Sequence, residues 1–121
     1  MAAPARSREM PPPLELQCLK VLWARGEGTV SDVQQALAPR RQLAYTTVMT
    51  LLDRLLRKSV VTRRKSGRAF IYAPAVSRDA LRSIAVRELL DNFFDSSEAA
   101  LVKYVESRGG PAPTMADVLY E

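Results

Sequence analysis

The chain has 121 residues, 47% of them hydrophobic, and 18 basic against 13 acidic side chains give it a formal charge of +5 and a pI near 9.8. That length suits one domain, or one domain with an oligomerising tail, and the hydrophobic share excludes wholesale disorder. With no His and one Cys, Cys18, it lacks a thiolate–imidazole pair, a His-assisted serine and any multi-thiolate metal site, so no cofactor, no metal and no enzymatic activity are expected.

Residues 1–12, rich in Ala, Pro and Arg, read as a flexible arm. No apolar run approaches the ~18 residues of a membrane span. No signal-peptide core follows the N-terminus, so a cytoplasmic location without membrane insertion is expected. A first helix is predicted from Pro13 or Leu14 to Gly26, with Leu16, Leu19, Leu22 and Trp23 as a buried stripe and Cys18 as a structural thiol among them. Thr29 offers a cap for a second helix to about Leu37, which stops before Pro39. A third, about Ala44 to Lys58, has Val48, Leu51, Leu52, Leu55 and Leu56 on one side and Thr46, Thr47, Thr50, Asp53, Arg54 and Arg57 on the other.

Two β-rich runs then flank Ser66-Gly67, Val60 to Lys65 and Arg68 to Tyr72, and read as a hairpin closed by Pro74. Ser77 caps a longer helix, and another runs from about Glu98 to Ser107 until the Gly/Pro run from Gly109 to Pro113 breaks it. The expected fold is therefore mainly α with a small β-hairpin: an arm (1–12), a winged helix-turn-helix domain (13–75) and a helical dimerisation region with a loose end (76–121).

Nine of the eighteen basic residues lie between Arg40 and Arg68, opposed only by Asp53, and the remainder is slightly anionic. A solvated face mixes its signs, so this segregation points to a nucleic acid. A helix entering the major groove needs short donors near its start and long cations further along, which Thr46, Thr47, Thr50 and Arg54 supply; the alternative is an ordinary solvated face. Met49 suits a thymine methyl or the core equally. Arg63, Arg64, Lys65 and Arg68 at the hairpin tip suit a wing gripping phosphates, against the alternative of a turn that resists edge pairing. Arg40 and Arg41 suit phosphate or a solubilising loop. Leu81, Ile84, Leu89, Phe93, Leu101, Val102 and Val105 exceed what a separate two-helix hairpin buries, which suggests a homodimer; packing onto the first helix is the alternative.

The stretches LELQCLKVLW, AYTTVMTLLDRLLRK and RKSGRAFIYAP resemble the penicillinase-repressor and methicillin-resistance-repressor family over about residues 14 to 106. The resemblance implies an N-terminal winged helix, a C-terminal dimerisation region and repression from palindromic double-stranded operators. It also implies DNA contacts at Thr46, Thr47, Thr50 and Arg54. The first of these is often Lys in the family, and Ser59 stands where many members have Gly. Antibiotic-responsive members are inactivated by cleavage of an Asn-Phe bond in the dimerisation region. The matching bond here is Lys103-Tyr104, with a membrane sensor metallopeptidase as the candidate partner. The cysteine cluster of a copper-responsive branch is missing. The competing expectation is a winged helix serving as a protein-interaction or nucleoid-type module without operator specificity.

Overall fold

The structure, a computed structural model, describes residues 10–109 and 113–118. The expected arm lies outside them except for its last three residues. In chain order the elements are α1 (Pro13–Arg25), α2 (Val30–Leu37), α3 (Tyr45–Arg57), β1 (Val61–Ser66), β2 (Ala69–Pro74), α4 (Arg78–Phe93), α5 (Glu98–Ser107) and α6 (Met115–Val118). They divide into two compact units, one through Ala85 and one from Val86.

Helix starts follow the local chemistry. The Thr29 hydroxyl accepts the Asp32 amide at 3.1 Å while the Asp32 carboxylate accepts the Thr29 amide at 3.0 Å, a reciprocal capping box. The bond from the Thr29 backbone, more than any other contact, holds the Asp32 carboxyl below its ordinary range. Ser77 and Ser97 accept the amides of Ala80 and Ala100 at 2.9 and 3.1 Å and so start α4 and α5.

In the first unit, Cys18, Leu19 and Leu22 of α1 meet Val33 and Leu37 of α2 and Val48, Leu51, Leu52 and Leu55 of α3 in one buried core. Val60, Val61, Tyr72 and Leu81 complete it, with Leu16, Trp23 and Ile84 partly buried against it. Each large side chain so buried contributes about 1.5–3 kcal/mol. Glu15, only 2% exposed, takes an ion pair from Lys58 at 2.7 Å, tying the start of α1 to the end of α3. That end is a Schellman turn, in which the Ser59 amide donates to the Leu56 carbonyl and the Val60 amide to that of Leu55, both at 3.0 Å. Ser59 carries its left-handed conformation, φ 65°.

The hairpin pairs Ser66 with Ala69 and Val61 with Pro74, so its two loop residues are Gly67 and Arg68 rather than Ser66 and Gly67. The first loop residue takes a positive φ, 63°, which glycine adopts without strain and serine does not. Pro74, paired with Val61, is the last residue of β2 and closes the hairpin. Gly28 joins the sheet through a single bridge: its amide donates to the Tyr72 carbonyl at 2.9 Å and its carbonyl accepts the Tyr72 amide at 2.8 Å. A Cβ at Gly28 would meet Arg25 and Asp32 atoms at 3.3 Å, so the close approach favours glycine.

In the second unit the link between α4 and α5 turns through two left-handed residues, Asp95 and Ser96. The Ser96 amide donates to the Leu90 carbonyl at 2.9 Å and its hydroxyl to Asp91 at 2.7 Å. The rings of Phe94 and Tyr104 lie 5.6 Å apart, tilted. α5 buries no residue. No helix of the described residues is long and apolar enough to cross a membrane.

Candidate nucleic-acid interface

α3 sets the interface because its apolar stripe is consumed by the core, which turns the other side of the helix outward. Thr46, Thr47, Thr50 and Arg54 are all exposed there. Beside them a groove of about 420 Å³ runs between α3 and the hairpin. Tyr45, Met49, Thr50 and Asp53 line its helix side, Arg63, Arg68, Phe70 and Tyr72 its hairpin side, and Thr29, Val30 and Ser31 line it too. The hairpin thus stands as a wing next to the Thr-rich face, and Met49 lies on the wall of the groove.

Ion pairing sorts the cations. Arg57 is held by Asp53 at 2.6 Å, Lys58 by Glu15, and Arg64 by both oxygens of Glu27 at 2.8 and 3.2 Å. The Arg64 hydrogen bond, with its charge, holds the Glu27 carboxyl below its ordinary range, and Glu27 raises Arg64 in turn. Arg40, Arg41, Arg54, Arg63, Lys65 and Arg68 enter no ion pair among the described residues. The Arg63 guanidinium lies 4.0 Å from the centroid of Phe70 and donates to the Tyr72 hydroxyl at 3.4 Å. The Lys65 ammonium is 5.9 Å from the same ring. The surface left open is cationic and rich in hydroxyls, the pairing that phosphate oxygens and base edges require.

Cys18 is fully buried, and its thiol is pushed up to about 11 by that burial, with the Glu15 charge adding to it. Protonated at neutral pH, it is no nucleophile. Among the described residues no group of His, Cys, Asp and Glu is placed to hold a metal ion.

Of the residues expected at a dimer interface, Leu81 is buried and Ile84 partly buried in the core of the first unit. Leu89, Phe93, Val102 and Val105 are exposed, and Leu101 is half-buried. Lys103 and Tyr104 are both exposed on α5. Three residues of the interface carried no individual signal in the sequence: Tyr45 and Phe70, which line the groove, and Glu27, the partner of Arg64. For Phe70 the signal was the turn itself, since placing Gly67 first in the loop sets Phe70 opposite Lys65. Glu27 lies 37 residues from Arg64, a separation that no local pattern reports.

Comparison with known proteins gives one family. Residues 12–115 match the penicillinase repressor family. The transcriptional regulator BlaI of Mycobacterium tuberculosis is 44% identical over 99 residues, covering 79% of this chain and 72% of that protein. Among solved structures, the DNA-binding domain of the repressor BlaI is 28% identical with a TM-score of 0.52, over 58% of this chain and 88% of that one. Bacillus licheniformis BlaI, solved as a monomeric form in complex with the blaP half-operator, is 27% identical with a TM-score of 0.50, over 59% and 87% of the two chains.

Proposed function

The chain belongs to the penicillinase repressor family, and from that membership we propose that it works as a dimer, laying one α3 into the major groove of each half of a palindromic operator. It is a transcriptional repressor that binds operator DNA, and not an enzyme. Thr46, Thr47 and Thr50 approach bases and phosphates at close range, Arg54 reaches a guanine edge or the backbone, and the wing cations Arg63, Lys65 and Arg68 hold the flanking phosphates. One observation carries this: Thr50 of the exposed Thr face and the open wing cations Arg63 and Arg68 line the same groove.

Dimerisation rests on the second unit, where Leu89, Phe93, Val102 and Val105 are apolar and exposed. A tethered pair of reading heads binds a two-fold site far more tightly than one head alone. Release through a membrane metallopeptidase has its support in α5. It is ten residues long with nothing buried, so a cut at Lys103-Tyr104 leaves fragments too short to stay helical.

Selection of bound duplexes from a random-sequence pool tests the reading. The expected product is an inverted repeat whose half-sites lie about one helical turn, or a multiple of it, apart. A pool that returns no enriched sequence would establish the nonspecific, nucleoid-type alternative instead.

A further inference from the structure

We propose that Glu27 and Arg64 form a strut that positions the wing, and that the phosphate grip belongs to the opposite face of the hairpin, to Arg63 and Lys65. This rests on the reading of the hairpin as a DNA-gripping wing.

The strand register makes the division. Residues on a strand alternate between faces, so Arg63 and Lys65 share a face with their cross-strand partners Tyr72 and Phe70, while Arg64 faces the other way with Ile71. On the first face Arg63 borders the groove beside α3, and its partners are a ring and a hydroxyl, neither of which cancels its charge. On the second, the two terminal guanidinium nitrogens of Arg64 meet the two carboxylate oxygens of Glu27. A two-pronged pair of this kind fixes direction as well as distance. A phosphate approaching Arg64 must displace a carboxylate already seated there, whereas one approaching Arg63 displaces none.

Position explains what the strut is for. Glu27 directly precedes Gly28, whose bridge to Tyr72 is the other tie between the hairpin and the turn after α1. Val61 and Tyr72 pack the base of the hairpin into the core, and the ion pair adds an attachment one cross-strand pair nearer the tip, where Arg64 stands beside Ile71. Both ends of the ion pair are exposed, so its contribution to stability is small. Its work is to hold Arg63 and Lys65 at a set angle to α3.

The test uses the whole chain and a fluorescein-labelled duplex of random sequence, with binding followed by anisotropy across a salt series. Arg63→Ala should lower the salt slope by about one unit, the loss of one phosphate contact. The charge-neutral pair Glu27→Gln with Arg64→Gln should weaken binding about threefold while the slope stays at its wild-type value, because no phosphate contact is lost. The exchanged pair, Glu27→Arg with Arg64→Glu, should bring affinity back to within about twofold, as only a positioning role allows. A slope that falls by about one unit in the double-Gln protein, with no recovery on exchange, would make Arg64 a phosphate contact and overturn the strut. Wild-type affinity in that protein would overturn it equally. A wild-type slope in Arg63→Ala would instead remove the wing reading on which the strut depends.

Discussion

Through Ala85, the apolar stripes of α1, α2 and α3 all end in one interior, where Leu19, Leu22, Val48, Leu52 and Leu55 lose all or nearly all contact with solvent. From Val86 onward, Leu90 is buried but Val86, Leu89, Phe93, Val102 and Val105 are not, and Phe93 is 75% exposed. The sequence pattern is similar in both regions, apolar residues recurring at helical spacing. Periodicity reports that one face of a helix is apolar; it does not report whether this chain or a second copy covers that face. The core of the first unit is covered by the unit's own residues, and the second unit leaves Leu89, Phe93, Val102 and Val105 exposed.

Truncating one side chain in each unit breaks the comparison most sharply. Leu52→Ala opens a cavity in a closed core and should cost about 2–5 kcal/mol of unfolding free energy. Val105→Ser removes an exposed group and should change that free energy by less than about 0.5 kcal/mol, yet shift sedimentation toward the monomer. Denaturant titration and analytical centrifugation on both variants check the pair. Equal losses of stability would mean that the two units are packed alike.

What could be read from the sequence follows the same line. Thr29 and Ser77 were readable as helix caps because a cap is a contact between neighbours three residues apart. The Thr face of α3 was legible because Val48, Leu51, Leu52 and Leu55 left it no other direction. Leu81 and Ile84 were not separable from Phe93 by pattern, since all three lie on one helix, and the first two pack on the core ahead of it. The Glu15–Lys58 and Glu27–Arg64 pairs join residues 43 and 37 apart. Only the tertiary fold brings such partners together. The hairpin was visible, but its turn slipped by one residue, because the positive φ belongs at the first loop position and Gly67 occupies it.

The Glu15–Lys58 pair is the second place to probe the closed unit. Lys58→Ala leaves a carboxylate buried without its partner. The expected cost is about 2–3 kcal/mol, below the roughly 3–5 kcal/mol of a fully buried pair because a quarter of the Lys58 side chain still meets water. A thermal denaturation curve unmoved by the change would show that Glu15 finds another partner.

Arg54→Ala separates reading from folding within the same unit. Arg54 is exposed and enters no ion pair among the described residues, so stability should hold within about 0.5 kcal/mol. Affinity for the selected operator should fall by about 1–3 kcal/mol, with discrimination against random DNA falling too. Unchanged operator affinity and specificity at fixed salt would take Arg54 out of the interface.

The smallest effect should be a gain. Ser59 occupies the C′ position after α3 with φ 65°, where the two Schellman bonds require a left-handed residue. A Cβ in that region approaches the neighbouring carbonyl and costs roughly 1–2 kcal/mol, which glycine avoids. Part of that gain is lost because glycine has more freedom to surrender from the unfolded chain. Ser59 is exposed and its side chain makes no hydrogen bond among the described residues, so Ser59→Gly removes none and should stabilise the first unit by about 0.5–1 kcal/mol. The turn sits where α3 hands the chain to the wing, so the same variant asks whether strain there is needed to set the wing angle. A higher denaturation midpoint with unchanged DNA affinity is the expected pairing. A higher midpoint with weaker binding would mean that the serine holds the wing where the phosphates need it, and a lower midpoint would show that Ser59 is not strained at all.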